Sequence, residues 1–208
     1  MQLVSRDLND GAPIDPEFAF GRPDPDAHMT LSDNRSPHLA WRGAPDGTES
    51  YVLLCVDPDV PADASDANQE GKTIPEDAER MDFFHWVMID IPPEITELQT
   101  GDCSEGVTKG GKKNPPGPAG ARQGRNTYTE FMKGAGELEG VYCGYDGPCP
   151  PWNDERLHHY HFIVHALDVS RLDVGDDFDG EQVREAMKDH VLATARLTGT
   201  YTLNPDLA

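Results

Sequence analysis

The chain has 208 residues, with 38 acidic against 17 basic side chains, a formal net charge of -21 and a sequence pI near 4.5. That balance argues against a duplex nucleic-acid partner, because phosphate binding needs a basic face. No run of about 18 apolar residues is present to span a membrane, and Met1 to Phe20 shows no apolar segment after a basic start, so the expected location is cytoplasmic.

Leu, Ile, Val and Phe make up 40 of the 208 residues, or about 19%. With high net charge, so low a share is typical of disordered chains. Their distribution argues the other way. They gather in dense runs at Tyr51 to Val56, Phe83 to Ile91 and Phe162 to Leu167, and three Trp and six Tyr add core-forming bulk. At this length the expected organisation is one domain over residues 1–208.

Tyr51 to Asp57 predicts a buried strand, bounded by Gly47 and Pro58. Asp57 and Asp59 close it in the sequence DPDVP, where two prolines make a rigid rim. An acidic stretch follows, with nine acids and two bases from Asp57 to Asp82. Phe84 to Ile91 predicts a second strand, stopped by Pro92 and Pro93, with His85 set in an apolar run. From Glu105 to Arg125 the sign reverses: Lys109, Lys112, Lys113, Arg122 and Arg125 face only Glu105, among glycines and prolines that dictate a loop. Two uses fit such a loop, a positive flap over an anion site or a solvated loop that pairs with the acidic surface.

The turn Gly147-Pro148-Cys149-Pro150-Pro151 leads to a third strand, Tyr160 to Val169. Strand side chains alternate between faces, so His158, Tyr160, Phe162, Val164 and Ala166 share one face, and His159, His161, Ile163, His165 and Leu167 the other. Glu181 to Ala193 predicts a helix, because Val183, Ala186, Met187, His190 and Val191 recur at three- and four-residue steps. Arg196 to Leu203, rich in Thr, predicts a final strand. The fold class that results is mainly β and antiparallel, with a few helices.

Cys55, Cys103, Cys143 and Cys149 form no C-x-x-C pair, which argues against a zinc knuckle. Cys55 reads as a buried thiol. Cys143 and Cys149 are near enough in sequence to pair in an oxidising compartment, but a cytoplasmic chain keeps thiols reduced.

Two histidine sets carry chemistry. Asp57, His85, His158 and Tyr160 would make a compact polar pocket if they converge, with imidazole donating to an oxyanion and the Asp fixing the tautomer from behind. The competing reading makes His85 a satisfied core histidine. His159, His161 and His165 on the opposite face can ligate a metal with a carboxylate, or simply form a half-buried polar sheet surface. No Gly-x-Ser-x-Gly elbow and no phosphate-cradling Gly-Lys-Ser/Thr loop is present, so neither a hydrolase nor a nucleotide-dependent enzyme is indicated.

Taken in order, SPHLAW (36–41), DPDVP (57–61), HWVMIDIP (85–92), YDGPCPP (145–151), LHHYHFIVHALD (157–168) and HVLATARLTGTY (190–201) resemble the phosphatidylethanolamine-binding protein family, in its bacterial Raf-kinase-inhibitor-like branch. The resemblance spans roughly residues 15 to 203. It implies two antiparallel sheets with peripheral helices and a small pocket for phosphate-like and carboxylate anions, including phosphoethanolamine head groups. By the resemblance that pocket is lined by Asp57, His85, Gly147, Pro148, His158 and Tyr160, with Val60 and Pro61 as its wall and Asp59 supporting the loop. Two departures stand out. Val60 replaces the usual Ala, adding two methyls at the mouth, and His159 replaces the Arg that usually precedes the Tyr, exchanging a permanent bidentate donor for a titratable one. Segments 63–81 and 129–141 look longer than in bacterial relatives.

The expected function is therefore non-enzymatic binding of a small anionic ligand, with no cofactor and no metal. A partner-binding regulator is the first alternative and a hydrolase or metalloenzyme the second. That relatives often pair makes a homodimer an expectation of the resemblance alone. Asp exceeds Glu by 24 to 14 and Arg exceeds Lys by 11 to 6, a bias suited to a salt-rich cytoplasm in which self-repulsion is screened.

Overall fold

The structure, a computed structural model, describes residues 1–207. In chain order its strands are β1 (Gln2–Val4), β2 (Ala12–Pro13), β3 (Gly21–Asp24), β4 (His28–Leu31), β5 (Leu39–Arg42), β6 (Ser50–Pro61), β7 (Arg80–Ile91), β8 (Glu97–Leu98), β9 (Arg122–Gln123), β10 (His158–Leu167) and β11 (Val191–Tyr201). Two short helices, α1 (Tyr128–Phe131) and α2 (Gly180–Met187), lie outside the sheets. The fold is mainly β.

Six strands form the central sheet in the order β2-β11-β10-β6-β7-β9. Its neighbours are antiparallel except β2, which runs parallel to β11. A three-stranded antiparallel sheet, β1-β5-β8, covers one face, and β3 and β4 form a separate antiparallel hairpin. Period-2 alternation sorts the central strands onto two cores. Leu53, Cys55, Trp86, Met88, Phe162 and Val164 pack toward Leu3, Leu39 and Trp41 of the small sheet. Val52, Leu54, Val56, Val87 and Ile89 pack under Leu172, Phe178, Val183 and Met187, from α2 and the segment before it. Both faces of β6 are therefore buried, which is why its sequence is apolar without alternation.

Several predicted boundaries move: the second strand starts earlier, at Arg80, and the third runs from His158 to Leu167. The first strand does not stop at Pro58 but runs on to Pro61, because β6 leaves β10 after Val56 and bulges against β7 between Asp57 and Val60. A proline at a bulge removes no ladder hydrogen bond. The predicted helix 181–193 ends at Met187, and Val191 to Ala195 instead pair with β10. The helix starts where expected, with Asp179 accepting from the Gln182 amide and the Gln182 side chain accepting from the Asp179 amide in a capping box. The final strand correspondingly begins at Val191 and ends at Tyr201.

The positive segment 105–125 is a loop, and it pairs with acids. Lys109 meets Glu137, Lys112 meets the buried Asp146, Arg122 meets Asp90, and Arg125 meets Asp177. It is pinned to the body instead of lying as a flap over the cavity described next. All four cysteines are free thiols.

Candidate functional site

Where β6, β7 and β10 end together, their side chains open onto a cavity of about 30 Å³. That volume takes a water-sized group or the tip of a larger ligand. Most of the wall is apolar or rigid: Val60, Pro61, Ala64, Phe83, Phe131, Pro150 and Pro151. The polar groups on it are Asp57, His85, Tyr128, Cys149 and Tyr160.

Each polar group is positioned from behind. Asp57 ends the apolar part of β6 and is buried; its Oδ1 accepts from the Asp59 amide at 2.8 Å and its Oδ2 from His158 Nδ1–H at 2.6 Å. His85 lies in β7, with ring contacts to Phe83, Tyr128 and Tyr160 at centroid distances of 4.7, 5.5 and 5.1 Å. Its Nδ1–H donates to the Asp146 carbonyl at 2.8 Å, so the ring nitrogen left for the cavity is Nε2. Burial lowers its pKa to about 4, against the opposing pull of Asp57. At neutral pH it is an uncharged imidazole whose Nε2 carries a lone pair. The Tyr128 hydroxyl donates to the Gly147 carbonyl at 2.8 Å. The Tyr160 hydroxyl is buried near Asp57 without a well-formed hydrogen bond, and burial followed by the Asp57 charge raises its pKa. Burial pushes the Cys149 thiol up to about 12.

His158 does not face the cavity. It is completely buried, and both ring nitrogens point at carboxylates: Nδ1 at Asp57 and, at 3.1 Å, Nε2 at Asp154. A carboxylate only accepts, so both nitrogens must carry hydrogen and the ring is an imidazolium. Burial alone would lower its pKa, but the hydrogen bonds to Asp154 and Asp57 overcome this and raise it to about 9. Arg80 then grips Asp154 in a fork, at 2.6 and 3.0 Å, and donates to the carbonyls of Asp59 and Pro75. Arg80, Asp154, His158 and Asp57 thus form a buried row of alternating charge with no net charge.

A second polar assembly holds the turn. Asp146 accepts from Lys112, Asn34 and Asn126. Burial raises the Asp146 pKa, opposed first by the Lys112 charge. Gly147 and Pro148 lie behind the wall, not on it. Gly147 is required there by a close approach, since a Cβ would sit 2.0 Å from the Phe18 carbonyl oxygen. Segment 63–81 reaches the cavity through Ala64. It is tied down by Asn153, whose side chain accepts from the Asn68 amide and donates to the carbonyls of Asp66 and Lys72.

A larger groove of about 750 Å³ lies between loop 114–125 and Asp176 to Phe178. The arginines in its wall are already engaged by Asp90 and Asp177, so the smaller cavity is where polar capacity is left open.

The sequence profile described as Phosphatidylethanolamine-binding protein matches residues 4–202. The chain belongs to the phosphatidylethanolamine-binding protein family. YbhB of Escherichia coli is 33% identical over 97% of this chain and 100% of its own length. A relative from Methanothermobacter thermautotrophicus is 34% identical, covering 85% of this chain and 89% of the relative. The crystal structure of E. coli YbcL, described as a new member of the mammalian PEBP family, superposes with a TM-score of 0.67 at 28% identity over 97% of both chains. These relatives place the chain in the bacterial branch of the family.

Of the residues that the family resemblance assigns, Asp57, Val60, Pro61, His85 and Tyr160 meet at the cavity wall, while His158, Gly147 and Pro148 stand behind it. The expected tautomer support also differs. Asp57 does not back His85; the Asp146 carbonyl does, and Asp57 is instead the partner of His158. Asp59 accepts from the His159 amide and ring at 2.9 and 2.8 Å, and pairs with Arg156. So where the family has Arg, His159 braces the DPDVP loop and does not reach the cavity. His161 and His165 bond across to Thr198 and Thr194 on β11. Among the described residues no three or more His, Cys, Asp or Glu side chains are grouped to hold a metal ion, and no helix is long and apolar enough to cross a membrane. Sequence reasoning missed Arg80, Asp154 and Asp146, and named Lys112 only as part of a positive loop. Asp146 lies inside the quoted YDGPCPP motif and Asp154 just after it, so position beside the turn was the available signal.

Proposed function

We propose that this protein binds, without chemical conversion, small ligands that carry a phosphate- or carboxylate-type oxyanion, at the cavity of Asp57, His85 and Tyr160. The observation that carries the proposal is the convergence of Asp57, His85 and Tyr160 on one otherwise apolar cavity wall, where the buried Tyr160 hydroxyl lies near Asp57 without a well-formed hydrogen bond. A buried unpartnered hydroxyl costs about 1–3 kcal/mol, and a ligand oxygen would relieve it. Binding is favoured over catalysis because the Cys149 thiol on the wall stays protonated, a poor nucleophile.

The test is calorimetric titration with phosphate and phosphoethanolamine against wild type, Tyr160→Phe and His85→Gln. Tyr160→Phe is expected to weaken binding roughly tenfold, the worth of one buried hydrogen bond, and His85→Gln, which exchanges an acceptor nitrogen for an amide, to change the affinity as well. Equal affinity in all three proteins would remove the cavity assignment.

A further inference from the structure

The groove of about 750 Å³ beside Asp176 to Phe178 shares no wall residue with the cavity of Asp57, His85 and Tyr160. Two arginines line it, and both are ion-paired, but not alike. Arg122 is spent: it donates to the Asp90 carboxylate and to the carbonyls of Leu172, Val174 and Gly175. Arg125 lies 2.7 Å from Asp177 and 3.6 Å from Asp179 but forms no aligned hydrogen bond with either, and its buried Nε is left without a partner. The Asp177 side chain is 79% exposed, and exposed ion pairs contribute little. Asp179 already caps α2. The base of Arg125 is fixed, because its amide donates to the Phe178 carbonyl and its backbone bridges to Cys143. Its guanidinium is thus held in the groove with donors open to exchange.

A sheet edge opens onto the same groove. β9 is the outer strand of the central sheet. Arg122 pairs with Ile89 and the Gly124 amide donates to the Val87 carbonyl, so alternation along an antiparallel edge turns the Gln123 N–H and C=O away from β7. At Arg125 the same outward turn is met by Phe178. At Gln123, which is part of the groove wall, no strand lies alongside. Much of the remaining wall is apolar, from Pro115, Pro116 and Val141. Asp176 and Asp177 on the facing side, and a net charge of -21, penalise a strongly acidic partner. We propose that this groove is a second binding site, for an extended, mostly apolar peptide segment that carries a single carboxylate. Its backbone adds to Gln123 as a short edge strand. Its carboxylate takes the Arg125 guanidinium from Asp177, whose own carboxylate is released to water.

The experiment passes two pools of N-acetylated, amidated pentapeptides over the immobilised intact protein, varied among Ala, Val, Leu, Phe and Thr around a fixed central Glu or Gln. Titration with the most retained Glu peptide should show binding roughly ten- to a hundredfold tighter than with its Gln counterpart, the range for a hydrogen bond to a charged group. Arg125→Gln should remove that difference. Asp177→Asn deletes the resident competitor and should tighten binding by up to about fivefold, the reach of one exposed ion pair. Asp173→Asn makes the same change of charge at an exposed position off the groove wall and should leave the affinity unchanged. If Arg125→Gln fails to fold, the Asp177 and Asp173 variants still decide. No gain from Asp177→Asn, or an equal gain from Asp173→Asn, would overturn the exchange at Arg125. No retained peptide, or equal retention of the two pools, would overturn the site itself. His85→Gln should bind the Glu peptide as wild type does. Loss in that variant would put the peptide in the smaller cavity, overturning this inference and leaving the anion-binding reading standing.

Discussion

His85 and His158 stand on β7 and β10, the two neighbours of β6, and both are buried next to Asp57. Burial pushes both rings toward the neutral form, yet they end in opposite states. His85 has a backbone carbonyl behind it and is held neutral. His158 lies between two carboxylates and is held charged. The difference shows that the partner of the second ring nitrogen, more than depth, sets the protonation state. It also divides the labour: His158 has no nitrogen to spare and serves the fold, whereas His85 keeps one for the cavity.

The strongest way to break this comparison is to remove what keeps His158 charged. Asp154→Ala would leave Arg80 and His158 with uncompensated buried charge and should cost about 3–5 kcal/mol, read from urea unfolding. Asp154→Asn, which keeps shape and some hydrogen bonding, should cost less. Equal costs for the two would mean that charge is not what matters there.

Stability against pH separates the two histidines, because their shifts have opposite signs. His158 is raised to about 9. Its contribution is fully present below its unfolded pKa of about 6.5 and is lost as pH rises through about 9. His85 is lowered to about 4. Its contribution is present above about 6.5 and is lost as pH falls toward about 4. The stability curve should therefore crest near about pH 6.5, each limb falling by an amount on the order of 3 kcal/mol. His161 and His165 are also lowered, chiefly by burial, and share the acid limb. Comparing wild type with His85→Gln isolates one part: the acid limb should become shallower while the alkaline limb is unchanged.

Smaller effects sharpen the picture at the rim. Val60 is half-buried in the cavity wall, and Val60→Ala should cost about 1 kcal/mol while admitting bulkier ligands more readily. A ranking of ligands by size that does not change would show that Val60 does not set the mouth. Smallest per site is the surface charge. With a net charge of -21, added KCl should raise the melting temperature gradually by screening self-repulsion, and a flat response would remove the salt-adaptation reading.

The parts of the fold legible in sequence were those written in side-chain pattern. The face of β10 carrying His158, Tyr160, Phe162, Val164 and Ala166 is buried as its alternation dictates, and the opposite residues His159 to His165 are partly exposed. Boundaries were less legible. Pro58 looked like a stop because the bulge that accommodates it exists only once β7 pairs alongside, and Val191 looked helical because its pairing with Leu167 is 24 positions distant. At the site, motif order named Asp57, His85 and Tyr160, which line one cavity, but motif order carries no information on which way an imidazole is turned. The donors behind those rings, Arg80 and Lys112, come from segments rich in unrelated charge, where no pattern distinguishes a buried cation from a solvated one.

The tether at Asn153 has a kinetic consequence. One side-chain amide fastens segment 63–81 at Asp66, Asn68 and Lys72, while the Ile74 amide bonds to the Asn153 carbonyl. Most ties of this segment converge on the short stretch Trp152 to Glu155, so they have few independent ways to loosen and should break together. The amide hydrogens of Asn68 and Ile74 should therefore exchange with solvent at one shared rate, as a small cooperative unit. Because Ala64 of that segment is part of the cavity wall, the same opening rate would set the ceiling on how fast a bulky ligand can enter.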